Sequence, residues 1–198
     1  MIGSAPVFPL QCPGPTVAKS SGVPAKYRQI NSHFTEASFT LPRSPDTDAF
    51  WQAFRLYAGL DHDNYVVASF GDSPEMATEL ADLVMAGVKR ATASLARDYG
   101  SGREPMPKPG DYVMALDGKG HPRLIWRTTE ITITPLSQVD EAYTWDEGEG
   151  DRTRDWWLAA HRRYFTRQAS RDGFKFDDDI LTVFERFEVV WPLDFADK

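Results

Sequence analysis

The chain has 198 residues, 41% of them hydrophobic, enough to bury one substantial core, and it carries a formal net charge of −7. Residues 1–45 hold Lys19, Lys26, Arg28 and Arg43 against Glu36, a balance of +3, which leaves −10 on residues 46–198. So acidic a domain excludes generic phosphate-backbone binding, and a nucleic-acid role has to be local to a cleft. No run of about 18 apolar residues predicts a membrane span, and the first residues lack a secretion-signal pattern. The single Cys12 has no internal disulfide partner, which fits a reducing, cytoplasmic setting.

Residues 1–45 are rich in Pro, Ser, Gly and Ala without periodicity, and are read as a disordered extension with one candidate strand over Phe34–Leu41. The folded domain is expected over residues 46–198. Phe50, Phe54, Tyr57 and Ala58 recur at helical spacing from Asp46 onward. Tyr65–Phe70 reads as a short strand. Ser73 and Pro74 open a second helix with the stripe Met76, Leu80, Leu83 and Val84, and Gly87 ends it. Val88–Leu95 then reads as a strand, followed by the proline-punctuated loop Arg103–Gly110.

Asp111–Leu116 and Arg123–Ile133 are strands joined by an Asp117–Gly120 turn, and Pro135 stops the second. A short helix is expected over Gln138–Tyr143, a longer one over Arg152–Ala169, and a closing strand over Ile180–Trp191. Strands scattered among helices with a central hairpin predict an α+β domain built on a mixed, barrel-like sheet.

The chemistry concentrates in Ala86–Ser94, AGVKRATAS. Two-residue alternation directs Arg90, Thr92 and Ser94 to one face, with Lys89 at the mouth of the strand. Lys89 is either a helix-terminal cation or a partly desolvated amine of lowered pKa, able to act as a base toward a hydroxyl. Thr92 is either a good strand former or a nucleophile needing an adjacent base. Ser94 can substitute for it or bind substrate. Lys89, Arg90, Arg97, Arg103 and Lys108, against Asp98 and Glu104, form a candidate basic patch or a solvated loop face.

The run Glu147-Gly148-Glu149-Gly150-Asp151 admits three readings. Its carboxylates cap the following helix, or Glu147 faces Lys89 and protonates a leaving amine, or the three acids hold a hard cation. Tyr99, Trp156 and His161 are candidates for stacking on a base, although the apolar neighbours of Trp156 favour the core and His161 reads as a core-edge residue. Arg127 and Arg186 are expected to pair with Glu130 or Glu185 across the sheet. The four histidines show no zinc-ligand spacing, so no metal site is expected.

Phe70-Gly71-Asp72, AGVKRATAS, Lys108-Pro109-Gly110-Asp111, Thr128-Thr129-Glu130, EGEGD with Trp156 and His161, and Glu185-Arg186-Phe187 together carry a likeness. From about Trp51 to Trp191 the chain resembles the ASCH family, relatives of the PUA-like RNA-binding barrels. The resemblance implies a PUA-like mixed β-barrel with helices packed around a cleft. Members of the family look like RNA-binding modules, some are reported to cut RNA, and small bacterial relatives hydrolyse the amide of N4-acetylcytidine.

In those amidohydrolases the catalytic group is a lysine and threonine of a G-x-K-x-x-T stretch with a later glutamate, which correspond here to Lys89, Thr92 and Glu147. The longer Gly-Glu-Gly-Asp insertion leaves Glu149 as the alternative acid. Arg90, Ser94, Tyr99, Glu149 and Trp156 are the expected substrate-binding residues. The implied partner is a modified nucleoside or single-stranded or looped RNA, not DNA, and the chemistry needs no cofactor. A non-catalytic RNA-binding module and a metal-independent ribonuclease are the alternatives.

Overall fold

A computed structural model describes residues 41–100 and 102–197. The extension through residue 40, with most of the candidate strand Phe34–Leu41, lies outside the described residues. Leu41 itself donates its N–H to Val67 O at 2.8 Å.

The described residues form four α-helices and five strands: α1 Pro45–Ala58, β1 Val66–Ser69, α2 Pro74–Met85, β2 Ala91–Leu95, β3 Tyr112–Leu116, β4 Pro122–Pro135, α3 Glu141–Glu147, α4 Arg154–Asp172 and β5 Leu181–Trp191. Helix starts follow local chemistry. Ser44 and Thr47 make a reciprocal capping box at α1, and Ser73 accepts from Met76 N at α2, each ahead of a proline. Gly59 and Gly173 end α1 and α4 in the left-handed conformation.

One departure matters for the site. The helix expected over Gln138–Tyr143 begins instead at Glu141, because Asp140 caps it by accepting from Tyr143 N at 2.7 Å. Leu136–Gln138 is a 3₁₀ turn. The shift places Glu147 on the last turn of α3 rather than in a loop, with Gly148 as its left-handed cap.

The five strands form one mixed sheet in the order β1-β3-β4-β5-β2. The β1–β3 pair is parallel and the others are antiparallel. Register shifts at Ile125/Trp126 and Thr128/Glu130 interrupt the long β4–β5 ladder, and such bulges increase local twist. The sheet curls into a half-barrel, so the barrel-like α+β architecture expected from the sequence is present.

Three apolar clusters hold the helices to the sheet. Trp51 and Phe54 of α1 pack with Tyr65, Val67, Met114 and Ile125. Leu80, Ala81 and Val84 of α2 pack with Phe70, Trp126 and Phe187. Trp157, Leu158 and Phe165 of α4 pack with Tyr143, Leu95 and Phe184. Burying one such side chain stabilises the fold by roughly 1.5–3 kcal/mol. Gly71, at φ +70°, is needed because a Cβ there would lie 2.4 Å from Met76 Sδ.

Candidate active site

A cavity of about 540 Å³ opens within the curl of the sheet, lined by residues of all five strands, of α2 and α4, and of the end of α3 and the segment after it. Of the residues singled out from the sequence, Lys89, Thr92, Ser94, Tyr99, Glu147, Glu149 and Trp156 all line it. On β2 the alternation puts Ala91 and Leu95 fully into the core, while Thr92 and Ser94 face the cavity.

Arg90 is the exception. It lies before β2, and its guanidinium donates to Val84 O and Lys89 O and pairs with Asp197, away from the cavity lining. The candidate basic patch likewise disperses. Lys89 is buried, Arg97 stacks over Phe174 at 3.5 Å and Lys108 pairs with Asp111 at 2.7 Å.

Lys89 is 1% exposed, and its Nζ is bound by Glu147 Oε2 and, at 2.7 Å, by Glu149 Oε1. Two glycines make this clamp possible. A Cβ on Gly148 would lie 2.3 Å from Val88 O, and one on Gly150 would lie 2.2 Å from the Trp156 ring. Both glycines have positive φ, so the acidic segment can pass directly against the backbone beside Lys89. Arg90 N donates to Asp146 O at 2.7 Å and Arg152 Nη2 to Val88 O at 2.8 Å, which pins the two segments together.

Burial disfavours the Lys89 ammonium, but the two glutamates outweigh it and raise its pKa above the ordinary lysine value. Lys89 is therefore a fixed cation here, and the base of lowered pKa expected from the sequence is not what this environment makes. Burial pushes Glu147 up to about 7 against the pull of Lys89. Burial works in the same direction on Glu149, yet Lys89 holds it below the usual carboxylate range. Of the two acids that share Lys89, Glu147 is therefore the more readily protonated.

The run of acids takes one of its three expected placements, Glu147 facing Lys89, while the cap of α4 falls to Thr153 and not to a carboxylate. Glu147 and Glu149 clamp Lys89, and Asp151 accepts from Thr153 N and Oγ1 just before α4, whose cap is Thr153 itself. The hard-cation reading gives way to the ammonium, which already lies between Glu147 and Glu149.

His161 stacks on Trp157 with ring centroids 3.6 Å apart. Its Nδ1 lies 3.1 Å from Trp157 O, a pure acceptor, so Nδ1 carries the proton and Nε2 faces Glu147 Oε1 at 3.9 Å. Burial lowers its pKa to about 4 and keeps it neutral. Glu147 Oε1 makes no hydrogen bond of normal geometry among the described residues, and the Trp157 side chain is the neutral donor that acts on the Glu147 carboxyl. Trp157 is the core residue of the pair, whereas Trp156, 37% exposed, sits at the cavity over Gly150.

Two further buried carboxyls line the cavity, neither assigned a site role from the sequence. Glu185 accepts from Trp126 Nε1 at 3.0 Å and from Thr128 Oγ1 at 2.6 Å and makes no ion pair among the described residues. Arg186 pairs with Glu130, as expected, and also with Asp146, whereas Arg127 pairs with Glu188. Asp98 accepts from Gln168 Nε2 at 3.0 Å. Ser94 Oγ and Tyr99 OH are 2.7 Å apart, and burial pushes Tyr99 up to about 12.

Residues 66–191 match the ASCH-domain family model. The chain belongs to the ASCH-domain family. The ASCH domain of Lactobacillus crispatus JV V101 is 29% identical, with a TM-score of 0.70, over 77% of this chain and 98% of that one. A protein of Enterococcus faecalis V583 is 37% identical, with a TM-score of 0.67, over 73% of this chain and 92% of that one. No curated protein matches the chain. This ASCH domain thus shares its PUA-like fold with relatives, while the Lys89–Glu147–Glu149 clamp is read from its own geometry. No helix of the described residues is long and apolar enough to cross a membrane.

Asp98 offers a test of the electrostatics. Burial pushes it from 3.8 up to about 6, so the folded state binds its proton more tightly than the unfolded chain. That contribution is present below pH 4 and is lost as pH rises through 6. Asp98→Asn, which can still accept from Gln168, is expected to gain on the order of 2–3 kcal/mol over the wild type between pH 4 and pH 7. Thermal melts of both proteins across that range measure the widening gap, and a constant gap would refute the assignment.

Proposed function

We propose that this ASCH domain accepts a modified nucleoside and hydrolyses the amide of N4-acylated cytosine. One observation carries the reading: a lysine clamped by two carboxylates shares an aromatic-walled cavity with a threonine of the matching motif. A volume of about 540 Å³ lies in the range of small-molecule sites. Phe70 and Trp126, stacked at 5.3 Å, give the cavity a flat apolar wall suited to a planar ring.

In this reading Thr92 Oγ attacks the acyl carbon and the departing N4 amine takes its proton from Glu147. The pKa of about 7 supports that role, since Glu147 is then a proton donor at neutral pH and can take the proton back from water. Lys89 supplies a fixed positive charge beside the developing oxyanion, and Glu149 keeps it charged. None of these steps calls on a cofactor.

Release of cytidine from N4-acetylcytidine, followed by chromatography, is the direct test. Thr92→Ala is expected to lower the rate at least about 100-fold. Full turnover by Thr92→Ala would remove its role.

The exposed ring of Trp156 at the cavity favours a second reading, in which an unpaired RNA base stacks there without any reaction. That version gives affinity for looped RNA falling steeply with salt, and no cytidine release. Cleavage of RNA but not DNA in the presence of a chelator would point instead to a metal-independent ribonuclease. Thermal shift with cytidine, N4-acetylcytidine and a short RNA separates these outcomes.

A further inference from the structure

We propose that Glu185 is a catalytic residue of this cavity, the general base that takes the proton of the Thr92 hydroxyl. The inference rests on the amide-hydrolysis reading and supplies the group that reading lacks. Thr92 needs a base to become a nucleophile. Lys89 is the base expected from the sequence, but it is held as an ammonium between Glu147 and Glu149.

The sheet places another candidate beside Thr92. In the antiparallel β2–β5 ladder Thr92 is directly opposite Glu185. Side chains of such a pair project to the same face with their Cβ atoms about 4.5–5.5 Å apart. That face is the cavity, and both residues line it.

The carboxyl is also aimed. Trp126 Nε1 and Thr128 Oγ1, both from β4, donate to the same oxygen, Oε1. Oε2 has no partner in any hydrogen bond of the described residues, yet it is not among their sealed, unpartnered atoms. It is therefore the oxygen that opens to the cavity. Glu185 is 7% exposed, and burial raises its pKa, which strengthens it as a base once ionised. Asp111 is the other charged group that acts on it, and in the same direction.

The proton inventory closes over one turnover. Glu185 Oε2 takes the Thr92 proton as Oγ bonds to the acyl carbon and the carbonyl electrons move onto oxygen. The oxyanion collapses, the C–N bond breaks, and the amine leaves with the proton of Glu147. Water then attacks the threonyl ester and gives a proton to Glu147. On the second collapse the Thr92 oxygen leaves and recovers its proton from Glu185, which frees the carboxylic acid and restores both carboxyls.

Glu185→Gln tests this, because its side-chain carbonyl can still accept from Trp126 and Thr128 while binding no proton in the working pH range. The expected result is a melting temperature no lower than that of wild type, since a buried carboxyl of raised pKa is made neutral, with a fall in kcat of at least about 100-fold, little change in KM, and loss of the acidic limb of the kcat/KM profile. Activity within a few-fold of wild type, or an unchanged acidic limb, would overturn the proposal. If wild type releases no cytidine, the amide reading falls and Glu185 is judged on p-nitrophenyl acetate. Acetylation of Thr92, located by peptide mass mapping, that disappears in Glu185→Gln sustains the base. Equal labelling of both proteins, or none of wild type, overturns it.

Discussion

Replacing Lys89 with Met is expected to lower the melting temperature by roughly 6–20 °C and to abolish cytidine release. The ammonium is enclosed by protein and pairs with two carboxylates, one of them equally buried. Removing one partner of a buried pair leaves uncompensated charge, which costs about 3–5 kcal/mol. For a domain of this size that loss corresponds to roughly 6–20 °C.

The pH dependence identifies the cause. Without Lys89, burial raises both glutamates, so the folded variant binds more protons than its unfolded chain and gains stability as pH falls from 7 toward 5. The deficit relative to wild type is therefore expected to shrink in that interval. Adding Glu147→Gln should recover part of the loss at pH 7. Melts of the single and double variants at pH 5 and 7 measure both effects. A deficit independent of pH would mean that lost packing, and not stranded charge, destabilises the variant.

Gly148→Ala is expected to do comparable damage without touching an ionisable group. The new methyl would lie 2.3 Å from Val88 O, a backbone atom that cannot rotate away, at a residue whose φ is +71°. Overpacking costs typically 1–3 kcal/mol, and a non-glycine residue in the left-handed region adds further strain. The lowest-cost relaxation moves the α3 cap away from Val88, which separates Glu147 and Glu149 from Lys89.

Gly148→Ala should therefore lose both stability and cytidine release. Gly173→Ala is the control, because it also has positive φ, +68°, but meets nothing within 4 Å of a Cβ. It should lose only the conformational part. Equal losses from the two substitutions would refute a special role for the contact at Val88.

Much of the fold is legible in the sequence because its signals are local. Ser44, Ser73 and the prolines that follow them start helices where their side chains meet free backbone N–H groups. The α3 boundary is missed because Asp140 at its cap competes with the turn chemistry around Pro135 and Ser137, and only the packing of Tyr143 against Phe184 and Trp157 favours one start. Trp156 and Trp157 are adjacent letters with similar apolar neighbours. Which one faces the core depends on the helix phase, which Thr153 sets as the cap.

The site divides along the same line. By itself the sequence determined the chemical inventory: a lysine and threonine in a strand-entry motif, acids spaced by glycines, and aromatic side chains suited to a flat ring. Tertiary structure alone decided that Lys89 meets Glu147 and Glu149, 58 and 60 residues away, that Arg90 turns outward, and that Glu185 stands across from Thr92. The reason is physical. Caps and alternation depend on neighbours along the chain, whereas burial and Coulomb interaction depend on distances the chain sets only after it has closed on itself.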